Sequence, residues 1–320
     1  MLYDTIIIGS GLAGLTASIY ASRYQLSNLI IGKLPGGTIT LAHKVENFPG
    51  FPGVSGLELA QRVIMHAKSL GAEILPEHVS NLTVVEPNGV TPYHFKLVTE
   101  SGKEFLAKTI IATTGTERRK LGVPGEKEYL GRGVSYCTSC DAPFFKGKTI
   151  AVIGGSDAAV TGAIHLAGFA AKVYLIYRKD VLRAEPTWRE QAEANPKIEI
   201  IYRTNVIEIL GDGQKVVGVK LDNLYQNSEV LPLDGVFIEI GGVPVSSFLV
   251  PVGVNLDENG YVQVNQKMET NVRGLFAAGD FTTQGLVLQQ AITAAAQGAI
   301  AAASAFRYVK SQKAAKLQSI

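Results

Sequence analysis

Cysteine occurs twice in this chain, as Cys137-Thr138-Ser139-Cys140, with Asp141 directly after. Two thiols at this spacing can close a small disulfide. The free N–H groups of a helix start favour the thiolate form. A structural zinc site needs four ligands. There is no second cysteine pair, and His43, His66, His78, His94 and His165 show no ligand spacing, so no metal is expected. A C-x-x-C near strand–helix–strand units points instead to a redox dithiol. The Asp141 carboxyl can supply or accept the proton that thiol exchange requires.

Glycine carries the next chemistry. Gly9-Ser10-Gly11-Leu12-Ala13-Gly14 is a full G-x-G-x-x-G. Gly9 permits a tight turn. Gly11 has no Cβ, so a pyrophosphate can approach the backbone, and Gly14 lets a helix pack on the preceding strand. The helix start offers N–H groups and partial positive charge to the phosphates. The context fits: the apolar run Tyr3 to Ile8 comes before, and Leu15 to Ala21 reads as a helix. The next strand, Leu29-Ile30-Ile31, ends in Gly32-Lys33, with no acid for a ribose hydroxyl. The ribose must be held some other way.

The same unit recurs. Thr149 to Ile153 is a strand, Gly154-Gly155-Ser156-Asp157-Ala158-Ala159 a turn, Val160 to Ala167 helix-like, and Val173 to Ile176 the next strand. Ser156 replaces the middle glycine, and its hydroxyl can bond phosphate. Ala159 is tolerated at the third position. Tyr177-Arg178-Lys179-Asp180 follows, with Arg183 a little further on. An acid here would suit the free ribose of NAD; bases suit a 2′-phosphate and point to NADP. Two nucleotide sites and a dithiol make a relay. A nucleotide delivers a hydride, a flavin accepts it, and the dithiol reduces an outside disulfide through a mixed disulfide.

The elements that must position these residues are those of an α/β protein with two Rossmann-like nucleotide-binding domains, the second inserted into the first. Strand ends at Thr114-Gly115-Thr116 and Gly241-Gly242-Val243-Pro244 carry turn chemistry. They predict a discontinuous first domain, 1–116 plus 245–320, around a second at 117–244. The first domain ends with Leu275-Phe276-Ala277-Ala278-Gly279-Asp280 and an Ala-rich helix over roughly Leu288 to Val309. A frayed tail with Lys310, Lys313 and Lys316 is expected after it.

Composition excludes several classes. Lys plus Arg is 30 and Asp plus Glu is 28, which leaves no footprint for nucleic acid. Hydrophobic residues are 46% and charged residues 18%, which predicts an ordered globular chain. No apolar run reaches the ~18 residues of a membrane span. The start of the chain does not read as a signal peptide, so a cytoplasmic protein is expected.

The chain resembles the low-molecular-weight thioredoxin reductases of bacterial and archaeal type. The resemblance covers nearly its whole length. It rests on the first glycine motif, Pro35-Gly36-Gly37, Val45-Glu46-Asn47-Phe48-Pro49-Gly50, Thr114-Gly115 and Val123-Pro124-Gly125-Glu126. It continues through Gly131 to Asp141, Ala278-Gly279-Asp280 and Gln290-Ala291-Ile292. Arg118 to Gly122 and Ala142-Pro143-Phe144 are similar to the archaeal branch.

The resemblance implies two domains of the three-layer ββα type, with FAD in the discontinuous one. Gly9, Gly11 and Gly14 would hold its pyrophosphate. Gly37, Thr38, Asn47, Thr114 and Gly115 would line it, Gly279 and Asp280 would hold the ribityl or phosphate end, and Gln290 and Ala291 would lie near the flavin ring. Gly154, Ser156, Asp157, Ala159, Arg178, Lys179 and Arg183 would hold NADPH. Cys140 would face the flavin, Cys137 would attack thioredoxin, and Asp141 would be the acid. A homodimer is implied, with a small domain that rotates about strands near 114–117 and 241–245. The family usually has glycine at Ser156, a hydroxyl residue at Ala158, histidine at Tyr177, and arginine at Lys179 and Gln289.

These departures keep a second reading open, a reductase of the same fold fed by ferredoxin or a second flavin. A non-catalytic flavin–thiol redox sensor is a further alternative. A ferredoxin–NADP reductase would lack the dithiol, and a peroxiredoxin-reducing relative would carry an additional N-terminal dithiol domain.

Overall fold

A computed structural model describes residues 1–86 and 94–318. The chain forms two compact units. One comprises Met1–Thr40, Val45–Glu117 and Val243–Ile320, the other Leu41–Lys44 and Arg118–Gly242.

The first unit is built on β1 (Leu2–Ile8), α1 (Leu12–Arg23), β2 (Asn28–Ile31), α2 (Gly56–Ser69), β3 (Glu73–Leu75), β4 (Val79–Val85), β5 (His94–Thr99) and β6 (Glu104–Ala112). A further strand, Leu275–Ala277, pairs with β6. The sheet order is β3-β2-β1-β6-β5-β4; β1 is parallel to β2 and β6, whereas β4, β5 and β6 run antiparallel in sequence.

The continuous apolar run of β1 has its reason in burial on both faces. Ile6 and Ile8 join one core with Leu29, Ile31, Leu82, Leu97 and Phe281. Ile7, one position out of phase, joins another with Ile30, Ile111, Leu15, Ala301 and Ala305. Helix α1 packs so closely on the last helix that a Cβ on Gly298 would lie 2.0 Å from the Ala13 carbonyl oxygen.

The chain crosses to the second unit through β7 (Thr116–Arg118). The second unit holds β8 (Val134–Ser135), α3 (Thr138–Asp141), β9 (Thr149–Ile153), α4 (Asp157–Ala167), β10 (Lys172–Ile176), α5 (Pro186–Glu193) and β11 (Ile198–Ile201). It continues with β12 (Val206–Gly211), β13 (Val216–Tyr225), β14 (Ser228–Pro232) and β15 (Gly235–Ile238). The return crossing is β16 (Gly242–Pro244), which pairs with β7. The strand at Leu275–Ala277 is β17, and α6 spans Ala291–Gln318.

The second unit has three layers. A five-stranded sheet, β11-β10-β9-β15-β8, lies between helices and the antiparallel sheet β12-β13-β14. Ile150, Val152, Leu175 and Phe237 pack with Val160, Leu166 and Trp188 of the helices. Ala151, Ile153, Val236 and Ile238 pack with Val206, Val219 and Leu231 of the small sheet. This is the expected ββα layering.

The last helix differs from the sequence reading. A 3-10 turn at Gly285–Val287 leaves Leu288 extended, so α6 starts at Ala291. It then continues past Val309 to Gln318, because Lys310 to Gln318 contains good helix formers and no Gly or Pro. The side chains of Lys313 and Lys316 lie outside the described residues.

Candidate active site

In the second unit, Cys137 and Cys140 form a disulfide with Cα atoms 5.3 Å apart. Cys137 caps α3, and the Cys140 amide donates to Cys137 Sγ at 3.2 Å. That amide favours negative charge on the Cys137 sulfur once the bond opens. Ser135, a buried hydroxyl, accepts from the Cys137 amide at 3.0 Å. Thr138 packs against Gly162, where a Cβ would meet the Thr138 methyl at 2.8 Å, so the dithiol turn is seated on α4. Cys140 is exposed and Asp141, the last residue of α3, is partly buried.

Tyr136, next to the dithiol, donates its hydroxyl to Glu126. Burial pushes the Glu126 carboxyl up. Donors on Tyr136, Leu121 and Gly122 more than offset this, so it titrates below its ordinary range. Lys120 lies over the Tyr136 ring, 4.1 Å from its centroid.

In the first unit, Gly9 has φ +114, and a Cβ there would lie 2.3 Å from the Thr113 carbonyl oxygen. A Cβ on Gly14 would lie 2.0 Å from Gly9 O, whereas one on Gly11 would meet nothing nearer than Gly37 Cα at 3.8 Å. The space beside Gly11 is thus open, and no side chain caps α1. Gly36 bridges to Gly11, and a 3-10 turn from Gly37 carries Thr38. Gly279 donates its amide to Gln297 Oε1 at 2.8 Å. Burial alone pushes the Asp280 carboxyl up to about 6. Asn47 Nδ2 donates to Gln290 Oε1 at 3.2 Å, and Ala291 opens α6. Thr114 and Gly115 bond to Val245 instead: Thr114 Oγ1 donates to its carbonyl, and its amide donates to Gly115 O.

The second glycine turn sits between β9 and α4. Gly154 has φ +144, and Ala159 is buried beside it. Ser156 is the N-cap of α4, yet its hydroxyl makes no cap hydrogen bond. Asp157 Oδ1 accepts from the Glu185 amide at 2.8 Å. The amides of Arg183 and Ala184 donate to Gly155 O, which folds the loop after β10 back onto the turn. Arg178, Lys179 and Arg183 are all exposed. Tyr177 is buried, and its ring occupies the space that a Cβ on Gly155 would need.

Several positioning residues escape sequence reading. Thr113 Oγ1 donates to Ile8 O and Gly9 O, tying β6 to the first turn. Ser10 Oγ donates to Leu34 O at 2.8 Å, and a Cβ on Gly32 would strike Ser10. Gln297 sits in an Ala-rich helix and Glu239 in an apolar run; each is a polar residue out of place, which was the available signal. Among the described residues, no His, Cys, Asp and Glu cluster could hold a metal, and no helix is long and apolar enough to cross a membrane.

The pyridine nucleotide-disulphide oxidoreductase family matches residues 3–298. The chain is 40% identical over 316 residues to a thioredoxin reductase of Listeria innocua, covering 98% of this chain and 96% of that protein. Its structure is similar to that of Lactococcus lactis thioredoxin reductase, with a TM-score of 0.90 and 37% identity, covering 97% of this chain and 99% of that one. T. acidophilum thioredoxin reductase gives a TM-score of 0.88 and 36% identity, covering 96% and 98%. The chain belongs to the pyridine nucleotide-disulphide oxidoreductases and, within them, to the thioredoxin reductases. The expected fold and enzyme class are borne out, and the family uses the expected FAD and NADPH.

Proposed function

We propose that this chain takes electrons from NADPH, passes them by way of FAD to the Cys137–Cys140 pair, and reduces the disulfide of a thioredoxin. The observation that carries this reading is the closed disulfide at the start of α3, on a chain in which two parallel strands, β1 and β9, each lead into a glycine turn and a helix.

The residues present fit both nucleotides. In the discontinuous domain, 1–116 plus 245–320, Gly11 leaves space for a pyrophosphate and α1 has no side-chain cap. Gly9, Gly14, Gly37, Thr38, Asn47, Thr114, Gly115, Gly279, Asp280, Gln290 and Ala291 complete the flavin set. In the inserted domain, 117–244, the uncapping hydroxyl of Ser156 is a phosphate donor, and Asp157 ties the turn to Glu185. Gly154 and Ala159 shape that turn, and Arg178, Lys179 and Arg183 are cations for a 2′-phosphate. The flavin, when bound, supplies the two-electron chemistry that links a hydride donor to a disulfide.

The chain's own residues perform the exchange. With the pair reduced, the Cys137 thiolate attacks one sulfur of the partner disulfide. A mixed disulfide forms, and the partner's other sulfur leaves as a thiolate, which takes a proton from Asp141 or water. Cys140 then attacks Cys137 Sγ, closes the internal disulfide and releases the second partner thiolate. The partner gains two electrons and the pair loses two. We place the enzyme in the cytoplasm as a homodimer.

Anaerobic mixing with NADPH, then NADH, tests the reading through the visible flavin absorbance. Fast bleaching by NADPH and slow bleaching by NADH is the expected result. Bleaching by dithionite or reduced thioredoxin but by neither nucleotide would overturn the donor assignment in favour of ferredoxin or a second flavin. Cys140→Ser is expected to keep FAD bound and to abolish thioredoxin reduction; loss of the flavin would contradict the assignment of Cys140.

A further inference from the structure

Glu239 is a charged residue in the run Val236-Phe237-Ile238-Glu239-Ile240. It directly follows β15, is 4% exposed, and pairs with Arg118 at the end of β7. Its amide donates to Ile153 O at 2.8 Å. Its carbonyl oxygen lies where a Cβ on Gly154 would come within 2.2 Å. Glu239 thus abuts the first glycine of the second turn. Strand β9 leads through α4 to β10 on one side, while β15 flanks it on the other. This is the point where strand order reverses, and ligands of open parallel sheets lie beyond the carboxyl ends of strands at such points.

Charge changes sign across three adjacent strands. Arg178 and Lys179, then Arg183, follow β10; the glycine turn and the start of α4 follow β9; the Glu239 carboxyl follows β15. A 2′-phosphorylated pyridine dinucleotide has the matching order. It carries a phosphate-bearing ribose at one end and a pyrophosphate in the middle. At the other end its carboxamide N–H and ribose hydroxyl groups are donors. A carboxylate repels the first two and accepts from the last.

We propose that Glu239 is the nicotinamide-side binding residue of the second nucleotide site, and that Arg118 is its positioning residue. The inference rests on the pyridine-nucleotide reading given above. Burial pushes the Glu239 carboxyl up, to about 7, against the lowering effect of Arg118, which favours the charged acceptor. Where only packing is needed, an apolar residue often does as well as a buried carboxylate and its ion-pair partner, so Glu239 here calls for a use.

Calorimetric titration of the flavin-loaded protein with NADP⁺ and with 2′,5′-ADP, which lacks the nicotinamide half, separates the two ends of the ligand. Glu239→Gln is expected to weaken NADP⁺ about tenfold, equivalent to ~1.4 kcal/mol, and to leave 2′,5′-ADP within about twofold. Because that change leaves the half-buried Arg118 guanidinium without its carboxylate, the neutral pair Arg118→Gln/Glu239→Gln is measured beside it, with melting curves to establish folding. The same selective loss is expected there. Unchanged NADP⁺ binding, or equal weakening of both ligands, in a folded variant overturns the proposal. If the wild-type protein binds neither ligand, the pyridine-nucleotide reading fails as well; if it binds both and the variants do not differ from it, only this inference fails.

Discussion

Asn47 donates its side-chain amide to Gln290 Oε1 across 3.2 Å, although 243 positions separate them in the chain. The loop that carries Asn47 is thereby fastened to the entrance of α6. Both residues belong to the proposed flavin set, so the bond would order two contributors at once.

A double-mutant cycle over Asn47→Ala and Gln290→Ala measures this coupling. The pair is exposed, so an interaction energy of about 0.5–1 kcal/mol in flavin dissociation is expected. Strictly additive losses would show that the two amides act independently.

Gly11 and Gly14 should separate cofactor binding from folding. A Cβ at Gly14 would lie 2.0 Å from a backbone oxygen. Gly14→Ala is expected to lower stability by ~3 kcal/mol through overpacking. A Cβ at Gly11 has open space beside it, so Gly11→Ala should change flavin-free stability by less than about 0.5 kcal/mol. It should nevertheless lose most bound flavin, because the methyl group takes the place of the pyrophosphate. Denaturation midpoints and the visible flavin absorbance of the purified protein read the two effects.

Asp280 carries a cost of burial. Its carboxyl titrates at about 6 in the folded chain, above its ordinary value, with burial as the cause. Between the ordinary carboxylate range and pH ~6 the folded state therefore holds a proton that the unfolded state has released. Stability present at low pH is lost as pH rises through that window. Asp280→Asn is expected to flatten the profile and to raise the melting temperature of flavin-free protein at neutral pH, while weakening flavin binding. A variant no more stable than wild type at neutral pH would contradict this account.

His165 works in the opposite direction. Burial, and then the charge of His43 stacked at 3.8 Å, pull its imidazole down to about 4. The folded chain binds this proton less readily than the unfolded chain does. The contribution of His165 is complete above the ordinary histidine range and is lost as pH falls through 4. His165→Phe is expected to show a shallower loss of urea resistance between pH 6.5 and 4; an unchanged slope would remove His165 as a cause.

The local devices were legible in the residues alone. Gly9, Gly11 and Gly14 after a β-branched run, Gly154 and Ala159 after another, bases following β10, and the spacing of Cys137 and Cys140 are patterns a few residues long. Their meaning follows from backbone sterics and charge that act over the same short distance. The layered fold was legible for a similar reason, since unbroken apolar strands require cover on both faces.

The long-range pairings were not legible there and come from the folded chain. The Gln297 side chain reaching the Gly279 amide, Thr113 tying β6 to the first turn, Ser10 excluding a side chain at Gly32, and Arg118 meeting Glu239 all join distant parts of the chain. The sequence shows that Glu239 is a charge in an apolar strand, but not what neutralises it. A buried polar group must find a partner, and which partner it finds depends on which strands and helices the fold makes neighbours.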